Sequence, residues 1–322
     1  MIKIQEIKAQ DLNAKDFIEE KAREISELVK DGFAINALSG GVDSSAVTML
    51  GHKALGERLK TYFINNGIMR EGEPESIVAL FGKLGVKVEI IDAQDKFFAA
   101  LKGITDPEEK REAITQTFYK DVFAKLVRES KAKYLLQGTI LTDVDETVAG
   151  IKRQHNVFEQ LGIDPQEAFG YKIIEPLVQL RKDGVRIAAA ALGLPESSFN
   201  RMPFPGPALA ARVIGEVTPE KIKTVRLATI ITEQELASSG AFQYMAILHQ
   251  DRVTGIRDNK REFGLQIEIR CWDSIDARHA KPSRLPHETL MKLAERLTSE
   301  VPGVVSVTYN IASKPPSTME AI

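Results

Sequence analysis

Two hydrophobic rhythms alternate along the first half of the chain. Apolar positions recur at helical spacing over residues 16–30 and predict an amphipathic helix. Short apolar or alternating runs at 33–38, 60–64, 86–91 and 134–136 read as strands. Helical patterns fill the gaps, beginning near Ser44, running from about Pro74 to Leu84, and covering a long stretch from Pro107 to about Ser130. Strands alternating with helices predict a doubly wound α/β fold, a parallel sheet covered on both faces. In such open sheets ligands sit beyond the carboxyl ends of the strands, where the strand order reverses. Ser39–Ser45, Asn65-Asn66-Gly67 and Gln137-Gly138-Thr139 follow the first, second and fourth strands and are expected to gather there.

The rhythm changes after Leu194. Pro195, Pro203, Pro205 and Pro207 crowd a short span and forbid regular helix, which predicts a boundary between a domain at 1–200 and another at 201–322. Beyond it the pattern reads as strand 209–215, helix 219–238, strands near 242–249 and 264–271, helix 286–299 and strand 304–311. That is a smaller α+β domain with an antiparallel sheet. A chain of 322 residues is long enough for two such cores, and no internal repeat or low-complexity segment interrupts them. The net charge of −2 gives no basic field, so nucleic acid is not an expected partner. The single cysteine, Cys271, lies in an alternating strand pattern, rules out an internal disulfide and fits a reducing cytoplasm. No apolar run approaches the roughly 18 residues of a membrane span, and the charged start Met1–Ile7 is unlike a signal peptide.

The densest chemistry is the run Ser39-Gly40-Gly41-Val42-Asp43-Ser44-Ser45 between the first strand and its helix. Adjacent glycines let backbone N–H groups converge, three hydroxyls add short donors, and the helix start adds unpaired N–H groups and a positive dipole end. Such a turn can hold a polyphosphate. It lacks both the Gly-Lys-Ser/Thr ending of the mononucleotide loop and the Gly-x-Gly-x-x-Gly spacing of dinucleotide folds. Asp43 lies inside it, and Asp143 and Glu146 follow the fourth strand. Carboxylates beside phosphates need an intervening cation, and Mg2+, satisfied by one or two carboxylates plus phosphate oxygens, is the natural choice. The plainer alternative is that Asp43 caps its helix and that Asp143 and Glu146 lie on a solvated loop.

The seven-residue loop resembles that of ATP pyrophosphatases, enzymes that adenylate a substrate and release pyrophosphate. Arg201-Met-Pro-Phe-Pro-Gly-Pro207, Arg212-Val-Ile-Gly-Glu216, Gln137-Gly-Thr139 and Ser313-Lys-Pro-Pro-Ser-Thr-Met-Glu320 narrow the resemblance to the ATP-pyrophosphatase part of the GMP synthetase family, from near residue 20 to the C-terminus. That implies an adenine-nucleotide alpha-hydrolase-like fold followed by a dimerisation domain, and ATP-dependent amidation of xanthosine monophosphate with Mg2+. The glutaminase part of the family's fused enzyme is absent and no Cys/His/Glu triad can be built around Cys271 in its place, so the resemblance implies ammonia from a separate glutamine amidotransferase subunit, and the chain is expected to be a cytoplasmic homodimer. The resemblance assigns Ser39, Gly40, Gly41, Val42, Asp43, Ser44, Ser45, Gly138 and Thr139 to ATP and pyrophosphate, and Asp43 and Asp143 to the metal. It assigns catalysis to Asp43, Lys152 and His155, and the acceptor nucleotide to Arg201, Pro205, Gly206, Pro207, Lys314 and Glu320. Departures from the family pattern fall at Gln154, Phe158–Gln160, Met202, Ala208 and the last two residues. They leave open a paralogue that adenylates another acceptor for amidation or thiolation, and a non-catalytic ATP-binding regulator.

Overall fold

A computed structural model describes residues 4–148, 171–199, 202, 204–275 and 277–321. The chain divides into two compact units. The first comprises Met1–Asn65, Pro74–Asp92 and Phe118–Arg201, and the second Asn66–Glu73, Ala93–Thr117 and Met202–Ile322. The principal break thus falls at 201/202, and two segments from the first half of the sequence join the second unit.

The first unit is built on β1 (Ala34–Ala37), β2 (Leu59–Asn65), β3 (Val88–Asp92), β4 (Tyr134–Leu136) and β5 (Lys172–Ile174). They form one parallel sheet in the order β3-β2-β1-β4-β5, with Ala34 opposite both Leu59 and Tyr134. Its helices are α1 (Ala14–Val29), α2 (Val42–Leu55), α3 (Glu73–Lys83), α6 (Ala124–Ser130), α7 (Leu141–Val148) and α8 (Lys182–Ala191). Asn13 caps α1 by accepting from Asp16 N, and the helix buries Phe17, Ile18, Ala22, Ile25 and Val29, the stripe that its apolar spacing predicts. Strand order reverses between β1 and β4, so the loops leaving those two strands flank the switch-point crevice.

In the second unit α4 (Gln94–Leu101) and α5 (Pro107–Gln116) precede α9 (Pro219–Leu236), β6 (Gln243–Arg257), β7 (Lys260–Ser274), β8 (Ala280–Pro282), α10 (His287–Glu300) and β9 (Val304–Tyr309). The long helix expected over 107–130 is interrupted by a π-helical stretch, Thr117–Phe123. Two expectations are corrected. Residues 208–212 form a 3-10 helix, not a strand, and only Val213 makes a bridge, to Leu248. The sheet is mixed: β6, β7 and β8 pair antiparallel, but β9 runs parallel to β7, which the 14-residue helix α10 permits as a crossover. Lys110 on α5 fastens its segment to the unit by donating to Val213 O at 2.9 Å, as Gly103 N does to Glu216 Oε1 at 2.8 Å. Among the described residues no helix is long and apolar enough to cross a membrane.

Candidate active site

The turn after β1 is closed by its own side chains. Gly40 has φ 77°, a conformation that favours glycine, and Gly41 then stands as the N-cap of α2. Ser44 Oγ donates to Gly41 O at 3.0 Å and accepts from Ser39 N at 3.2 Å, while the Ser39 and Ser44 hydroxyls lie 2.9 Å apart. Beneath the turn runs a polar ladder. Thr48 Oγ1 donates to Ser44 O (2.8 Å), Asn36 Nδ2 donates to Thr48 Oγ1 (2.6 Å), and Thr61 Oγ1 donates to Asn36 Oδ1 (2.8 Å). Asn36, Thr48 and Thr61 are buried, so this network ties the turn rigidly to β1 and β2. Its signal in the sequence is the polar Asn36 and Thr61 inside otherwise apolar strand runs.

The first turn of α2 carries N–H groups that no preceding turn can satisfy, at the positive end of the helix dipole. Asp43 is the second residue of that turn and does not cap the helix, because Gly41 is the N-cap and no side chain bonds there. Its Oδ2 accepts from Lys182 Nζ at 2.6 Å, and its Oδ1 is buried with no hydrogen-bond partner. Lys182, the first residue of α8, is a site residue that the sequence reading missed. A cation at the positive end of a helix is unfavourable unless something opposes it, and that misplacement was the available clue.

The β4 loop closes the other side. A Cβ on Gly138 would stand 3.1 Å from Asp43 C and 3.2 Å from Ser44 N, so any side chain there would press the loop away from the backbone at the start of α2. Gln137 N donates to Ile174 O (3.0 Å), Thr139 Oγ1 donates to Glu175 Oε1 (2.5 Å), and Leu141 N donates to Leu180 O (2.9 Å), fixing the loop to the segment between β5 and α8. Asp143 is buried and accepts from Ile140 N at 3.0 Å, which makes it a helix-start residue of α7 in the manner of a capping box. Among the described residues no group of three or more His, Cys, Asp or Glu could hold a metal by themselves. Among the described residues Asp43 Oδ1 is a buried carboxylate oxygen with no hydrogen-bond partner, which suits an ion completed by phosphate and water. Of the β2 loop, Asn65 ends the strand, while Asn66 and Gly67 belong to the second unit. Lys152, His155 and Arg201, and the side chain of Glu146, lie outside the described residues.

In the second unit Pro205-Gly206-Pro207 forms a turn closed by Ala208 N donating to Pro205 O at 2.9 Å, and open space surrounds Gly206 where a Cβ would stand. The turn leads to Arg212, which is 1% exposed. Its guanidinium lies 3.4 Å from both Glu320 carboxylate oxygens, and Gln243 Nε2 donates to Glu320 Oε1 at 2.9 Å. The Phe204 ring lies against two guanidiniums, its centroid 3.8 Å from Arg70 Cζ and 4.9 Å from Arg212 Cζ. Lys314 goes elsewhere, donating to Ala277 O at 2.8 Å, so Lys314 and Glu320 have different partners. Met202 accepts from Tyr244 N at 3.4 Å. Burial pushes the Cys271 thiol above its ordinary value, which suits a packing residue and not a sulfur carrier.

Residues 13–150, which hold the glycine turn and Gly138, match the NAD synthase family, and residues 230–321, which hold Glu320, match the family described as GMP synthase C terminal domain. Both ends of the chain meet in one set of relatives. Similarity to the B subunit of the glutamine-hydrolyzing GMP synthase of Pyrococcus furiosus is 49% identity over 307 residues, 94% of this chain and 96% of that one. The chain belongs to the family of GMP synthase B subunits. The B subunits of Archaeoglobus fulgidus (47% identity, 96% of this chain and 99% of the relative) and Methanocaldococcus jannaschii (43%, 95% and 98%) align over the same extent. Membership of this family therefore rests on the whole chain and not on the glycine turn alone.

Proposed function

We propose that this chain is the synthetase subunit of a two-subunit GMP synthase, a ligase that forms a carbon–nitrogen bond on xanthosine monophosphate at the expense of ATP. The observation that carries the reading is the crevice at the β1/β4 switch point, where the start of α2, Lys182 and the unpartnered Asp43 Oδ1 meet behind the closely apposed Gly138. The oxygen on C2 of the acceptor attacks the α-phosphorus of ATP and pyrophosphate leaves. Ammonia then attacks C2, the new C–N bond's nitrogen gives up one proton to become the exocyclic amine, and AMP leaves with the former carbonyl oxygen. Adenylation is needed because an amide-like oxygen is a poor leaving group and a phosphate ester is a good one. The helix-start amides of Val42, Asp43 and Ser44, which precede the first intrahelical bond from Ser45 N to Gly41 O, and the ammonium of Lys182 receive the pyrophosphate charge, and preorganised donors of this kind lower the barrier because they need no reorganisation. Mg2+ fits here through Asp43, and when bound it neutralises phosphate charge; Asp143 contributes through its placement of α7. Lys152 and His155 are assigned to the phosphates, and Arg201, Pro205, Gly206, Pro207, Lys314 and Glu320 to the acceptor.

Ammonia comes from a separate glutamine amidotransferase subunit. A homodimer through the second unit accords with Ile256 (79% exposed) and Phe263 (63%), diagonal neighbours on one face of the β6/β7 ribbon. A cytoplasmic location accords with the one buried thiol. Near-full-length likeness to GMP synthase B subunits favours this reading over an acceptor-switched paralogue. The test is to incubate the purified chain with ATP, Mg2+, xanthosine monophosphate and ammonium chloride. Equimolar GMP, AMP and pyrophosphate are expected, with none when glutamine replaces ammonium. ATP binding without GMP would overturn the assignment.

A further inference from the structure

Glu320 stands near the end of a segment that forms no strand, yet three consecutive carbonyls before and at it are held by side chains from one face of β7. Arg270 Nη1 donates to Thr318 O at 2.9 Å and Glu320 O at 3.0 Å and lies 3.4 Å from Met319 O. Trp272, two residues on and therefore on the same face, donates from Nε1 to Met319 O at 3.3 Å. Glu268, two residues before, fixes the guanidinium by accepting from Arg270 Nε at 2.6 Å and is itself held by His249 Nε2 at 2.7 Å. The Met319 side chain packs among Met245, Ile247, Trp272 and Ala280. These contacts hold the backbone, whereas the Glu320 carboxylate is left to Arg212 and Gln243.

We infer that Arg270 is a positioning residue for the acceptor nucleotide: it straps the C-terminal segment onto β7 and so sets where the Glu320 carboxylate stands. The inference rests on the proposed acceptor role of Glu320. Without the strap the segment spends part of its time undocked, and an acceptor that binds only the docked form sees its affinity reduced by that fraction. Turnover at saturating acceptor is restored, because the acceptor itself draws the segment back.

The chain's single tryptophan, Trp272, lies inside this contact and reports docking by its fluorescence. Wild type, Arg270→Met, Arg270→Lys and Glu268→Gln are compared as full-length proteins, with KM for xanthosine monophosphate and for ATP, kcat, and Trp272 emission measured with and without acceptor. Arg270→Met is expected to raise the acceptor KM about tenfold or more, with kcat and the ATP KM within about twofold. Its emission shifts to the red in the free protein and returns toward wild type at saturating acceptor. Arg270→Lys keeps the charge without the fork and gives a partial effect. Glu268→Gln keeps an acceptor atom but frees the guanidinium, so it gives the same pattern at smaller scale even if the Met variant folds poorly. An unchanged acceptor KM and unchanged emission in these variants overturn the inference. Failure of the wild type to form GMP overturns the function reading and the acceptor role, while the emission of the free variants separately decides whether the strap exists.

Discussion

At the β1/β4 crevice the protein leaves polar groups uncompensated: the start of α2 has no side-chain cap and Asp43 Oδ1 is buried without a partner. In the second unit the charged groups close on one another. Arg212 meets Glu320, Glu320 also takes Gln243, and Phe204 lies against two guanidiniums. The first region leaves a buried carboxylate oxygen uncompensated by the protein, and the second is already compensated, so under the proposed function its acceptor must exchange contacts with existing partners. Function and stability are therefore separable by mutation in the first region and coupled in the second.

Asp43→Asn gives the largest expected effect and the sharpest form of that comparison. Removing the carboxylate should lower GMP formation by about 10²–10³-fold, the scale of deleting one electrostatic stabiliser of a transition state. Stability should change by no more than about 0.5 kcal/mol, because the Asp43–Lys182 pair is partly exposed, at 25% and 46% for the two side chains. Paired activity and denaturant-unfolding measurements check this. A loss of activity accompanied by a large loss of stability would break the distinction, since the carboxylate would then be holding the fold.

Glu320→Ala should do the opposite. It leaves Arg212, 1% exposed, without its carboxylate, and breaking such a pair costs about 3 kcal/mol, the low end for buried pairs, given the 3.4 Å separations. Denaturant unfolding followed by Trp272 fluorescence reads the second unit directly, and Glu320→Gln, which keeps a hydrogen-bond acceptor, should recover part of the loss. An unaltered midpoint in both variants would show that the acceptor region is as uncompensated as the crevice.

A third expectation tests compensation by pH. Lys110 is fully buried, and desolvation first, with the nearby Lys221 second, lowers its pKa from 10.5 to about 8. Between about 8 and 10.5 the unfolded chain binds a proton at this site that the folded chain does not, so the site makes stability rise with pH over that window. Below about 8 the folded protein carries the full cost of a buried ammonium. The difference in unfolding free energy between wild type and Lys110→Met, measured from pH 7 to 10, should slope accordingly. A flat difference would mean that Val213 O and the nearby Asp106 fully offset the desolvation of the charge.

The same contrast explains what the sequence made legible. The crevice rests on seven contiguous residues and on strand–turn–helix periodicity, so the turn, its helix and the switch-point location could all be read in one dimension. Glu175, just after β5, and Lys182, at the start of α8, enter more than a hundred residues after the glycine turn, and nothing local announces them except a cation misplaced at a helix start. The second cluster gathers Arg70, Phe204, Arg212, Gln243 and Glu320 from five separate stretches, and periodicity has no access to such pairings. Where periodicity misled, backbone conformation won. Leu209-Ala-Ala-Arg-Val-Ile-Gly215 is apolar enough for a strand, but Pro207 and the left-handed residue after it wind the start of that run into a 3-10 turn. The direction of β9 was equally hidden, because a sequence shows the crossover helix without showing which way the chain returns.

That left-handed residue supplies the smallest and most local test. Ala208 has φ 51°, is 2% exposed, and begins the 3-10 helix that carries Arg212. A side chain in this conformation costs about 1–2 kcal/mol, whereas glycine adopts it freely. Against that gain stands the greater entropy that glycine loses on folding, about 0.5–1 kcal/mol. Ala208→Gly should therefore stabilise the second unit by about 0.5–1 kcal/mol and leave Asp43-dependent activity untouched. Denaturant unfolding followed by Trp272 emission resolves a change of that size, and the acceptor KM shows whether relieving the strain moves Arg212. Stabilisation with an unchanged KM means that the turn's strain is incidental to the acceptor region. Stabilisation with a raised KM means that Ala208 holds Arg212 in place by being strained, and then even a compensated cluster stores energy for its ligand.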